Sequence, residues 1–131
     1  MTGRINAAVL ASALVLAPAL AHGAEKAAFS PAADLKWINA GIPGVDTAVV
    51  KGDMKKGASH FYLKYAGGFA APVHHHSPDH YVTTLAGALT LVVDGKEHRL
   101  APGSYFALLG KTAHTARCEG NEDCLMFVDA R

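Results

Sequence analysis

Four of the chain's eight histidines fall within seven positions: His74, His75, His76 and His80, in the stretch APVHHHSPDHYV. Imidazole is a ligand for Zn, Cu, Fe and Ni and tolerates Mn. Side chains alternate across an extended segment, so His74 and His76 share one face and His75 takes the other. A bend at Ser77-Pro78-Asp79 would bring His80 back toward the same ion. A mononuclear site also needs a donor from elsewhere in the chain, and His114, inside GKTAHTARC, is the candidate. The chemistry implied is that of one divalent transition-metal ion (Fe, Mn, Cu, Ni or Zn) held by His74, His76, His80 and His114. The competing reading for His74 and His76 is a polar interior without metal, and for His80 it is a residue that orients a metal ligand rather than binding the ion itself. His60, His75 and His98 read as solvated strand residues. Tyr62, Tyr81 and Tyr105 read as packing aromatics rather than catalytic acids. Asp79 lies in the bend beside the histidines, as a hydrogen-bonding partner for the site. With no obvious general base nearby, the metal itself must carry any reaction.

Such a site requires strands that converge distant residues. After Asp34 the chain breaks into short β-branched and aromatic runs: TAVVKG, SHFYLKYA, HYVTTLAG, ALTLVV, KEHRL, SYFALL, HTARC and CLMFVDA. The segments GDMKKG, SPD, DG, APG, GKTA and EGNED punctuate them. Asp94-Gly95 between two strand runs predicts a two-residue hairpin. No stretch after residue 35 has helical period. Many short strands at close spacing predict an all-β sandwich or barrel.

The spacing around the histidines resembles the first cupin motif, G-x5-H-x-H-x3-E-x6-G, over Gly68, His74, His76, His80 and Gly87. His80 stands where the acidic residue is usual. A second motif, G-x5-P-x-G-x2-H-x3-N, aligns from Gly103 and keeps His114. There Leu109 stands for the Pro, Lys111 for the Gly and Cys118 for the Asn. Residues 88–102 separate the motifs, as in small microbial cupins. The resemblance spans residues 35–131 and implies a double-stranded β-helix, the cupin or jelly-roll barrel, with a divalent metal inside. Carried over, His74, His76 and His114 match the three imidazole ligands, and His80 replaces the carboxylate. Four neutral imidazoles would leave the ion at its full charge, a stronger Lewis acid than with a carboxylate present. Cupins often pair, so a homodimer is a further expectation of the resemblance.

The N-terminus reads as a secretory signal. One basic residue, Arg4, precedes an apolar run from Ala7 to Ala21, which ends in the small-x-small sequence Ala19-Leu20-Ala21. The run is shorter than the roughly 20 residues that cross a bilayer, so residues 1–21 are expected to be cleaved rather than to anchor the chain. Residues 22–34 are then a loose lead-in, and His22, if it became the first residue, could chelate copper through its amino group. Export places the protein in the periplasm or outside the cell. In that oxidising compartment Cys118 and Cys124 are expected to form a disulfide rather than two buried thiols, across a hairpin loop at EGNED.

Composition narrows the partners. The 131 residues carry a formal charge of +1 and are half apolar. No basic face or stripe is present, which argues against nucleic acid or an anionic membrane as a partner. A small-molecule ligand or substrate remains. Three activities fit the constellation: a metal-dependent dioxygenase on a chelating diketone or enediol, a non-catalytic metal or ligand-binding module, and a metal-free isomerase.

Overall fold

The computed structural model describes residues 26–131. The expected signal segment and His22 lie outside the described residues. Among those described, no helix is long and apolar enough to cross a membrane. A single short 3-10 turn, Ala32–Asp34, precedes ten strands. They are β1 (Ile38–Ile42), β2 (Val45–Gly52), β3 (Ser59–Tyr65), β4 (Ala70–His74), β5 (His80–Ala86), β6 (Ala88–Val93), β7 (Lys96–Leu100), β8 (Tyr105–Leu108), β9 (His114–Glu119) and β10 (Cys124–Ala130). The strands form two sheets, ordered β1-β2-β3-β10-β5-β8 and β4-β9-β6-β7, with every pairing antiparallel. This is a jelly-roll sandwich, the all-β class that the strand pattern predicts.

Period-two burial builds the core. In β10, CLMFVDA, the alternate residues Cys124, Met126, Val128 and Ala130 are buried. They meet Phe61 and Val82 of the same sheet, and Leu89, Leu91 and Ala116 of the other. Each large apolar side chain so buried contributes about 1.5–3 kcal/mol. The Asp94-Gly95 hairpin forms as expected, with φ of +50° and +73° at its two residues. That pair of positive angles matches the right-handed twist of the flanking strands.

Two features differ from the sequence expectation. β9 and β10 are not neighbours: β9 pairs with β4 and β6, whereas β10 pairs with β3 and β5. The loop between them therefore crosses from one sheet to the other. The Cys118–Cys124 disulfide, with Cα atoms 5.7 Å apart, ties the two sheets together at one pole. Secondly, β4 stops at His74, after a bulge between Ala71 and His74. His76 thus lies in a loop, and strand alternation is not what places it beside His74.

Candidate metal centre

The histidine end of the sandwich is opposite the disulfide. β4 delivers His74 at its last residue, β5 begins with His80 and β9 begins with His114. His74 and His114 are direct partners across the β4–β9 ladder. His76 is set by the loop of residues 75–79, which is tied at three points. The Lys111 amide donates to the His76 carbonyl at 2.7 Å. The Gly110 amide donates to Asp79 Oδ1 at 2.6 Å. The Asp79 and Arg131 backbones exchange two hydrogen bonds, of 2.9 and 3.0 Å. Pro78 and the short bend suit a chain that must reverse here, and these ties replace the ladder that β4 gives up.

The donor atoms of His74, His76 and His114 all lie within 4.8 Å of one another. Their ring centroids are 4.3–5.0 Å apart. Metal–imidazole bonds of about 2.0–2.1 Å place two donors up to about 4.2 Å apart across one ion, so small rotations of the rings close the set on a common centre. His74 Nδ1 lies 2.8 Å from the Pro72 carbonyl and His114 Nδ1 lies 2.8 Å from the Thr112 carbonyl. An imidazole that donates from Nδ1 to a carbonyl presents a bare lone pair at Nε2. The two rings are thereby held in the tautomer that suits a metal. Nothing in the strand pattern foretells those two carbonyls.

The ring of His80 stacks on that of His76, with centroids 4.2 Å apart and planes 17° apart, and meets Phe61 edge-on at 6.1 Å. The bend at Ser77-Pro78-Asp79 does return His80 to the cluster, but outside the group of three mutually close donors. His75 is exposed, as expected. His60 lies on the outer face, 3.3 Å from Asp129. His98 is exposed, but its ladder position opposite Leu91 puts it on the inward row of β7. Its spacing of two from Leu100 was the signal for that. Tyr81 takes the opposite face from His80, with the Arg131 guanidinium 5.8 Å from its ring.

Three rings of the cluster are held toward the neutral form. His76 is pushed down to about 3, first by burial and then by repulsion from His80, His114 and His74. His80 and His114 are also lowered, chiefly by burial; Asp79 partly offsets this for His80, and the Thr112 carbonyl for His114. Neutral imidazole is the form that binds metal. Beneath the rings the interior is apolar, lined by residues such as Leu91, Val82, Phe106 and Met126, and the cavity there is only about 30 Å³. The donor set fits a divalent transition-metal ion, with His74 and His114 oriented through Nδ1 and His76 and His114 held toward the neutral form.

The cupin-domain family model matches residues 61–129, more than half the chain, and both histidine segments fall inside it. The chain is a cupin. Solved cupin-like structures share the fold. KdgF from a Halomonas species superposes with a TM-score of 0.66 at 20% identity, covering 79% of this chain and 93% of that one. An RmlC-like cupin from Shewanella frigidimarina gives 0.64 at 16%, covering 79% and 90%. The polyketide cyclase RemF from Streptomyces resistomycificus gives 0.64 at 19%, covering 75% and 74%. At such identities the likeness shows the fold alone. No curated protein matches this cupin.

Three motif glycines of the cupin pattern have a conformational reason. Gly68, Gly87 and Gly103 have φ of +81°, +79° and +89°. A Cβ on Gly87 would also sit 2.5 Å from the Asp123 carbonyl oxygen and 2.9 Å from Cys124 Sγ.

Proposed function

We propose that this cupin is an exported protein holding one divalent transition-metal ion on His74, His76 and His114, with His80 as a fourth ligand, and that it is a dioxygenase for a small chelating substrate. The convergence of three donors within 4.8 Å, from segments 40 residues apart, carries the reading. A bound ion would supply the Lewis acidity that holds a β-diketone or enediol as its enolate; dioxygen would attack the activated carbon of that enolate, cleaving a C–C bond at that carbon with both oxygen atoms passing to the products. The chain's own part is to hold His76, His80 and His114 toward the neutral form, to orient His74 and His114 through Pro72 and Thr112, and to set a small apolar-lined cavity below them. Four neutral rings would leave the positive charge of the ion available to an anionic substrate.

The test is elemental analysis of the protein taken from the periplasmic fraction, repeated on His76→Ala, with oxygen uptake measured over a panel of diketones and enediols. Stoichiometric metal that disappears in the variant, with oxygen uptake by the wild type, supports the proposal. Metal without uptake removes the dioxygenase. Intact mass from the same fraction checks export: loss of residues 1–21 is the expected result.

A binding module without turnover is the second reading. Its support is the roughly 30 Å³ cavity, room for about one water, and the lack of a carboxylate in the converging group. A ligand that binds tightly and is recovered unchanged would favour it. A metal-free isomerase would need a His/Tyr or His/Asp pair, and Asp79 is occupied by the Gly110 amide while Tyr81 faces away.

A further inference from the structure

β7 and β8 are consecutive strands, yet they belong to different sheets and each is an edge. They are joined at the pole away from the histidines, where Thr84 fastens the turn between them. Its hydroxyl donates to the Ala101 carbonyl at 2.6 Å and accepts from the Ser104 amide at 3.0 Å. From that hinge the two edges run toward the histidine end without pairing. The gap between them is a cleft of about 320 Å³. Leu91, Val93 and Leu100 line it from one sheet, and Phe106 and Leu108 from the other. Leu91, Phe106 and Leu108 also line the small cavity under His76, His80 and His114, so the same three side chains border the cleft on one side and the space below the cluster on the other.

The lining states what the cleft accepts. It contains no Lys, Arg, Asp or Glu, so a charged ligand would lose its hydration there without compensation. Its polar side chains are His98, Tyr105 and Thr112. The Thr112 hydroxyl already donates to the Leu109 carbonyl at 2.6 Å, and Tyr105 points to the outer face, opposite Thr83. His98, an exposed residue on the inward row, is the group that faces an occupant. The volume is about twice that of the ~150 Å³ apolar cavity that takes up benzene, and falls in the usual range for small-ligand sites.

We propose that the seam between β7 and β8 binds the body of an uncharged aromatic ligand of one substituted ring or two fused rings, with a hydroxyl or carbonyl oxygen hydrogen-bonded to His98. Placing such a ligand as the substrate of the histidine cluster rests on the metal-centre reading above; binding in the seam does not.

The test uses 2-naphthol and naphthalene as probes, titrated into metal-free and metal-loaded protein, with backbone amide shifts mapping the location. Saturable binding of both probes is expected in both forms, with shifts on β7 and β8. 2-Naphthol should bind roughly two- to tenfold tighter than naphthalene, the effect of one hydrogen bond. His98→Leu should erase that preference while naphthalene still binds. His98→Trp, which fills the gap from an exposed position, should weaken both probes at least tenfold. Both variants should keep the circular dichroism and the melting midpoint of the wild type to within a few degrees, which shows that they fold. Shifts on another face, binding untouched by His98→Trp, or no saturable binding up to the solubility of the probes would each overturn the seam. Loss of metal on His76→Ala tests the cluster separately, so either proposal can fail while the other stands.

Discussion

His76 concentrates the electrostatics of the site. In an unfolded chain its imidazole takes up a proton near pH 6.5; in the fold burial and neighbouring rings push it down to about 3. Across that window the unfolded state binds more protons, so stability falls as pH falls from about 6.5 toward 3. His80 and His114 shift the same way and add to the slope. Urea titrations of the metal-free protein from pH 7 to pH 4 should show a steady decline, and a flat profile would contradict a buried neutral cluster. Protons also compete with the ion, so metal release should follow the same direction. A second residue-scale expectation concerns Lys111, which adopts a φ of +62° where the cupin motif has glycine. A left-handed conformation costs a non-glycine residue about 1–2 kcal/mol, and the flexibility of glycine returns part of that. Lys111→Gly should therefore stabilise the protein by about 0.5–1 kcal/mol in thermal unfolding, with metal content unchanged. An equal or lower midpoint would show that the Lys111 side chain contributes more than its backbone costs.

At the scale of elements, the loop of residues 75–79 and the disulfide do opposite jobs at opposite poles. The loop holds His76 and His80 through backbone ties and Asp79. Asp79→Ala removes the acceptor of the Gly110 amide and should weaken metal binding by about tenfold, the low end of the effect of partners that orient ligands. Competition with a chelator measures it, and circular dichroism should show the strands intact. The disulfide closes a short loop but joins two sheets that share no hydrogen bonds at that point. Closing a loop of about seven residues stabilises by about 2–3 kcal/mol in the chain-entropy account. Reduction, or Cys124→Ser with Cys118→Ser, should lower the melting midpoint by roughly 10–20 °C. Metal content should be retained below the new midpoint, because the bridge lies far from the histidines. Loss of metal at low temperature would mean that the two poles are coupled.

The described residues form a small sandwich with an apolar core and a histidine cluster at one end. A ligand that binds only the folded form adds about 2.7 kcal/mol at a hundredfold excess over its dissociation constant. Chelation should accordingly lower the melting temperature of the wild type and leave that of His114→Ala unchanged. Much of this was legible in the chain. Eight of the ten strands were readable because their side chains alternate with period two and are broken by Gly, Pro and Asp. The exceptions were β1, whose INAGI is exposed along its length and carries no such alternation, and β4, whose boundary is set by a bulge. Histidine type and spacing marked His74, His76 and His114, since no local role in a strand calls for imidazoles at those intervals. The sequence by itself thus determined the class of fold, the hairpin at Asp94-Gly95 and the residues that meet at the mouth. Only the tertiary structure decided that β9 and β10 part into separate sheets, that His80 stacks beside the converging three, and that β7 and β8 leave a cleft. Those outcomes depend on which edges pair and where the chain crosses between layers, and the balance of non-local hydrogen bonds and packing that selects them has no local signature.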